Sequence, residues 1–228
     1  MITEASLVEL IKVKLEEISP FEEPTNFIAA AADPAYDKVK AVVAYIKQEI
    51  KPAIHYCLNN LPLTLLAKDI HADTKDIKIE QNGLGYIENM PEYYRYIRCS
   101  VPSHWKRDVI AFITSANPLY LLQQNKYTRG GICKPVVAIV PESKRLELYS
   151  FPDVSQTASA YPITESGAAV INYINPDVTL SSGNYDVSSD ISDFIALRCA
   201  QQVYEIFGME QAKIMQGEMI AKLEQVTK

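Results

Sequence analysis

The chain of 228 residues is short of cations: 22 Lys and Arg stand against 28 Asp and Glu, a net charge of −6. Non-specific duplex affinity comes mainly from Lys and Arg on phosphates. The acidic balance therefore argues against it, while allowing a surface past which DNA slides without sticking. Histidine is scarce, with only His55, His71 and His104. There is no HExxH and no second histidine at helical spacing, so no zinc-hydrolase motif is offered. Cys57, Cys99, Cys133 and Cys199 lie far apart without a CxxC pair. That excludes a zinc ribbon and a thioredoxin-like motif, and the expectation is reduced thiols packed in the fold. No apolar run approaches the roughly 20 residues of a membrane span. The opening MITEASLVELIKVKLEEISPFEEP breaks its apolar residues with Glu and Lys, unlike a signal peptide. Internal repeats and low-complexity tracts are also lacking.

What is present is the ordinary balance of a soluble globular protein, 48% hydrophobic and 22% charged, with length enough to bury a core without staples. Residues 3–17 carry Leu7, Leu10, Ile11, Leu15 and Ile18 at helical spacing, with Val13 off the stripe and Thr3 or Ser6 as the cap. SPFEEP reads as a loop. A second helix over 34–61 has Asp33 as N-cap, Pro34 in the first position and a stripe from Val39 to Leu61. Pro52 is expected to kink it or divide it in two. From about residue 76 the pattern turns to short β-branched and aromatic runs. DIKIEQNGLGYIE centres on the hairpin dipeptide Asn82-Gly83, and YYRYIRCSVP, RDVIAFIT, KPVVAIV, KRLELYSFP and TASAYPI follow. Residues 175–189 read as a polar loop. A helical hairpin closes the sequence, capped by Asp190 or Ser189 and turned at Gly208. The expected fold is α+β. A helical domain has a kinked long helix and a C-terminal helical hairpin, and carries an inserted antiparallel β unit. The expected boundaries are 1–75, 76–174 and 175–228, with the last part packing on the N-terminal helices.

Several stretches invite chemistry. GLG at 83–85 is too short for a dinucleotide fingerprint and reads as a turn. RGG at 129–131 occurs once, whereas RNA-binding RGG segments are repetitive. It reads as a glycine turn before a buried strand. Lys126, Arg129 and Lys134 form a local basic patch suited to an acidic partner. Cys133 as a nucleophile needs a thiolate and a base, and the sequence places no histidine beside it. His71-Ala72-Asp73 reads as a surface loop rather than a metal site. Trp105, the only tryptophan, reads either as a β-core anchor or as a subunit-interface residue. Met215, Met219 and Leu223 line one side of the last helix, fitted either to core packing or to docking on a neighbour. No cofactor is implied.

The order GLGYIENMPEYYRYIRCSV, HWKRDV, NPLYLLQQNKYTRGGICKPVVAIV and KRLELYSFP, with the helix–Gly–helix ending ALRCAQQVYEIFGMEQAKIM, resembles a family of bacteriophage head–tail connector proteins. These belong to short-tailed, crAss-like phages of Bacteroidales. The likeness covers roughly residues 80–225. It departs from the family pattern at MPEYY and at TRGGIC. The resemblance implies a structural virion protein without enzymatic activity, made in the bacterial host cytoplasm and placed at the head–tail junction. It implies a homo-oligomeric ring, often twelve-fold, that contacts the portal protein and other tail or ring proteins. Genomic DNA would pass through its channel without sequence-specific binding, and no membrane is involved. The tyrosine supply, 14 residues, suits interface contacts. Trp105, Lys126, Arg129, Met215, Met219 and Leu223 are the candidate interface residues. Two rival expectations stand beside this one. One is a helical-repeat-like interaction module, weakened because the unit occurs once where about three repeats are needed. The other is a cysteine hydrolase built on Cys133.

Overall fold

The computed structural model describes residues 1–17, 37–80, 82–91, 94–125, 127–151 and 167–226. In chain order the elements are β1 (Ile2–Thr3), α1 (Glu4–Glu17), α2 (Asp37–Asn60), β2 (His71–Asp76), β3 (Lys78–Ile79), β4 (Leu84–Ile87), β5 (Arg95–Ser100) and β6 (Ile113–Thr114). They continue with α3 (Pro118–Gln123), β7 (Val136–Val140), β8 (Arg145–Tyr149), β9 (Ala168–Ile174), β10 (Leu180–Ser181), β11 (Asn184–Tyr185), α4 (Ser192–Ile206) and α5 (Gln211–Val226). The chain divides into two compact units, residues 1–69 with 176–228, and residues 70–175. The expected cap at Asp33 and Pro34, the SPFEEP loop and the TASAYPI run lie outside the described residues.

This overturns the expected mostly helical domain with one inserted antiparallel β unit. The chain is mixed α/β, with eleven strands among the described residues gathered in three sheets. The helical unit owns one of them, β1–β11–β10, built partly from the stretch expected to be a polar loop. Nor is the rest uniformly antiparallel, since β6 runs parallel to β7. The physical reason is strand length and polarity. β1, β10 and β11 are two residues each, too short for an alternating pattern to register, while β6 falls in the expected RDVIAFIT run and differs only in pairing parallel through the α3 crossover.

In the first unit, the Thr3 hydroxyl accepts from the Ser6 amide at 3.0 Å and caps α1. Leu7, Ile11 and Leu15 are buried along one stripe and Val13 is exposed off it. Helix α2 passes through Pro52 without division. Pro52 and Gln48 are both exposed, so the carbonyl that loses its donor faces water. Ile46, Ile50, Ala53, Ile54 and Cys57 stay buried on the opposite side. Helix α4 is the hub, packed against α1, α2 and α5. Its tight packing accounts for the buried Cys199, whose thiol meets the Ile46 carbonyl at 3.6 Å, and for Tyr204, which donates to the Leu15 carbonyl at 2.6 Å. Ser188 accepts from the Asp190 amide at 3.2 Å ahead of α4. The start of the chain is tied down by Ile2 pairing with Tyr185.

In the second unit, β2–β9–β5 and β3–β4–β8–β7–β6 form two sheets. Their inner faces share one core: Cys99, Ile171 and Tyr173 from the first sheet meet Ile87, Val137, Leu146 and Leu148 from the second. The register puts Leu84, Tyr149 and Val136 in one row on the outer face of the five-stranded sheet, with Tyr86, Glu147 and Ala138 in the next. That outer face is roofed by α3, which lies in the β6-to-β7 crossover.

Helix α4 ends at Gly208, whose φ of 67° lies in the left-handed region. The Gly208 amide donates to the Glu205 carbonyl and the Met209 amide to the Tyr204 carbonyl, both at 3.0 Å, the pattern of a Schellman cap. Gly208→Ala is expected to lower stability by about 1–2 kcal/mol, read as a reduced urea midpoint with unchanged slope. An unaltered midpoint would contradict the cap.

Candidate docking loop and its buried carboxylate

The TRGG segment leads from α3 to β7, and each of its four backbone N–H groups is tied down. Asn117 caps α3 by accepting from the Leu119 amide at 2.9 Å, and Pro118 follows in the first turn. Past the helix, the Asn125 carbonyl accepts from the amides of Thr128 and Arg129 at 3.1 and 3.0 Å. The Thr128 hydroxyl donates back to the Leu122 carbonyl at 2.5 Å. Buried Gln123 accepts from the Gly130 amide at 2.8 Å. Gly131 and Lys134 exchange both backbone hydrogen bonds, and the Ile132 carbonyl accepts from the Lys106 amide at 3.1 Å.

Gly130 is the position that admits no side chain. A Cβ there would lie 2.4 Å from the Tyr149 carbonyl oxygen and 2.9 Å from that of Lys134. Both are backbone atoms, one at the end of the central strand β8 and the other in the Gly131–Lys134 bridge, and cannot swing away. Beside Gly131 there is open space. The glycine pair is thus one obligatory residue and one permissive one, a distinction the sequence conceals.

Beneath the loop lies a carboxylate. Glu147, 1% exposed, sits on the outer face of β8. Arg145 donates to its Oε1 through Nε at 2.9 Å and also through Nη2. Its Oε2 accepts from the Tyr120 hydroxyl at 2.9 Å and from the Tyr149 hydroxyl. Gln124 donates to Tyr149 at 2.9 Å, and the Arg145 guanidinium stands 5.3 Å from the centre of the Tyr86 ring. A buried carboxylate costs several kcal/mol unless its charge and lone pairs are met. Here one cation and two phenols meet them, and two of those donors fix α3 and the loop to the sheet. Burial first, then the hydrogen bond to Glu147, push the Tyr149 and Tyr120 phenols above the ordinary tyrosine value.

The sequence-predicted residues separate. Lys126 lies outside the described residues. Arg129 belongs to the loop, but it points inward: Nη1 donates to the Asn82 carbonyl at 2.7 Å, and its buried Nε has no hydrogen-bond partner among the described residues. It pins the loop to the β3–β4 hairpin. Trp105 is a core residue whose indole N–H donates to Ser150 Oγ at 2.5 Å. Met215 and Met219 are buried within the first unit and Leu223 is half-buried, so Trp105 and both methionines are spent inside the chain rather than on its surface. Cys133 is exposed beside an open hollow of about 640 Å³ whose lining contains no carboxylate and no histidine. His55 lies beside Asn59, while His71 stacks on Tyr173 and His104 on Phe151.

Other corrections concern elements. His71-Ala72-Asp73, expected in a surface loop, starts β2. The Tyr173 hydroxyl donates to Asp73 at 3.0 Å there. β2 is an edge strand of charged residues, the usual protection of a sheet edge, and its polarity hid it. Sequence reasoning also missed α3 and Glu147. The available signal was a glutamate between apolar neighbours in RLELY, next to two tyrosine-bearing segments. Among the described residues no group of His, Cys, Asp or Glu is placed to hold a metal ion, and no helix is long and apolar enough to cross a membrane.

Gly130→Ala is expected to cost about 2 kcal/mol or more through the forced backbone shift, and Gly131→Ala within about 0.5 kcal/mol of nothing; equal urea midpoints for the two variants would refute the clamp. The raised phenols set an alkaline limit. Their contribution to stability is fully present below the unfolded tyrosine pKa of about 10 and is lost as pH rises from there through the folded values. Tyr149→Phe should therefore lose stability less steeply above about pH 10 than the parent, and parallel declines would exclude Tyr149 as a source. Compared with protein-family models and with curated proteins, the chain matches none.

Proposed function

We propose that the chain is a structural virion protein of the head–tail connector kind. Copies of it form a ring at the portal vertex, often twelve-fold, joining the capsid portal to tail components and surrounding the DNA exit channel. The order of segments from GLGYIENMPEYYRYIRCSV to KRLELYSFP supports this reading, and one physical observation carries it. Helix α3 is inside out. It buries the polar Gln123 and sets Tyr120 against the sheet, while Leu119, Leu121 and Leu122 face solvent, Leu121 at 72% exposure. Tyr127 at 84% exposure and the exposed Ile132 adjoin it in sequence and in the loop fold. Each outward leucine forgoes roughly 1.5–3 kcal/mol of burial. A clamped loop that holds apolar side chains in water is preorganised for a partner, because little ordering entropy remains to be lost on docking.

The charge distribution fits the same role. Residues 1–69 and 176–228 carry eleven Lys and Arg against eighteen Asp and Glu, while residues 70–175 carry eleven against ten. A ring lined by the acidic unit would repel phosphate and let the genome pass without sticking.

Negative-stain electron microscopy of the purified protein, alone and mixed with the portal protein of the same phage, tests the proposal. Closed rings or ring-capped portals are expected. Absence of any ring or portal complex, together with absence of the protein from purified virions, would overturn it.

A further inference from the structure

We infer that the partner of the α3–loop face is a second copy of this chain, and that it presents the outer face of α5. This rests on the ring reading above and names the contact within it. The loop face is apolar and basic. Leu119, Leu121 and Leu122 stand exposed, and Lys106, Arg107 and Lys134 are exposed on the neighbouring backbone. These last three are exposed cations, and the one acid between residues 106 and 134, Asp108, is already paired with Arg98 at 2.6 Å. The opposite character occurs in α5. Ala212, Met215 and Met219 are buried on its inner side, while Ile214 and Ile220 are 51% and 48% exposed. Gly217 and Ala221 are exposed between them, with nothing within 4 Å of where a Gly217 Cβ would stand. Exposed Glu210 and Glu218 border this strip, with one exposed cation, Lys213, beside Ile214. Lys222, a cation on the same helix, is taken up by Asp193.

Among the described residues each face alone is an apolar surface without a covering element. Together they match in both characters, leucine to isoleucine and cation to carboxylate. Self-pairing of the loop face would set like charges against each other, which disfavours α3 meeting α3. The two faces are different surfaces of the chain, so their pairing closes either as a reciprocal two-fold dimer, each copy's α3 on the other's α5, or head to tail as a ring, and the ring reading takes the second. The recess at Gly217 and Ala221 gives bulky leucines room to approach the α5 backbone. The contact is thus an apolar seam between α3 and α5 with Lys134 and its neighbours facing Glu210 and Glu218.

Full-length protein carrying Cys133→Ser is the background for the test, since the other three cysteines are buried. One preparation adds Leu121→Cys and the other Ile214→Cys, and a short bis-maleimide is applied to each alone and to the mixture. A cross-linked dimer in the mixture and in neither preparation alone is expected. Leu121→Asp should weaken self-association about tenfold or more, the equivalent of about 1.4 kcal/mol, with an unchanged circular dichroism spectrum. A dimer in the Leu121→Cys preparation alone, or rings of the parent protein without a mixed cross-link, overturns this contact and leaves the ring standing. A mixed cross-link in open filaments or in a closed two-fold dimer keeps the contact and removes the ring. No cross-link and no self-association at any concentration removes both.

Discussion

The carboxylate of Glu147 has to be satisfied wherever the five-stranded sheet forms, and the way it is satisfied organises the second unit. β8 places Leu146 and Leu148 in the shared core and thereby turns Glu147 to the outer face. Left bare under a helix, that charge would oppose folding. Arg145, two residues earlier on the same face, supplies the cation, and Tyr120 and Tyr149 supply the remaining donors. Tyr120 can reach only if α3 lies across the sheet in one orientation. That orientation buries Gln123, which grips Gly130, and leaves the leucines no direction but outward. The exposed apolar face is therefore a consequence of solving an electrostatic problem beneath it. Register, helix orientation, loop conformation and surface character form one chain of dependence.

The helical unit rests on a more ordinary constraint. α4 is buried over most of its surface, through Phe194, Ile195, Ala196, Cys199, Ala200 and Val203, with Arg198, Gln202 and Glu205 on its one polar side. Such a helix cannot exist until its neighbours cover it. The N-terminal helices and α5 do so from three directions, and the Tyr204 hydroxyl closes the contact with α1 through the Leu15 carbonyl. The unit is assembled around its last-but-one helix rather than its first.

Legibility in the sequence followed periodicity and failed with its absence. α1, α2, α4 and α5 announced themselves through stripes of three-to-four spacing, and Gly208 through its position. β4, β5, β7 and β8 showed as β-branched or aromatic runs. β2 did not, because HADTKD is polar on both faces and gains its place only from pairing with β9. β9 itself, AAVINYI, lies in the middle of its sheet and was passed over beside a long polar stretch. α3 was invisible for the opposite reason: a helix with leucines outward and glutamine inward contradicts the amphipathic rule, and only the sheet below explains it. Of the candidate site, the sequence disclosed the loop and its basic residues. It could not disclose that Arg129 faces inward, that Trp105 is spent on Ser150, or that the two glycines differ, since each depends on atoms far away along the chain.

The first unit is made of two stretches separated by the whole of residues 70–175. During synthesis at roughly 5–20 residues per second, the first two helices leave the ribosome on the order of ten seconds before the helix that covers them. Apart from each other, these two helices have no native surface for their apolar stripes to meet in that interval, whereas the intervening unit is contiguous and can collapse at once. The nascent protein therefore passes through a state with a finished second half and an open first half. That interval is when the apolar stripes of the first two helices are open to other chains, and its length is set by the rate of translation across residues 70–206.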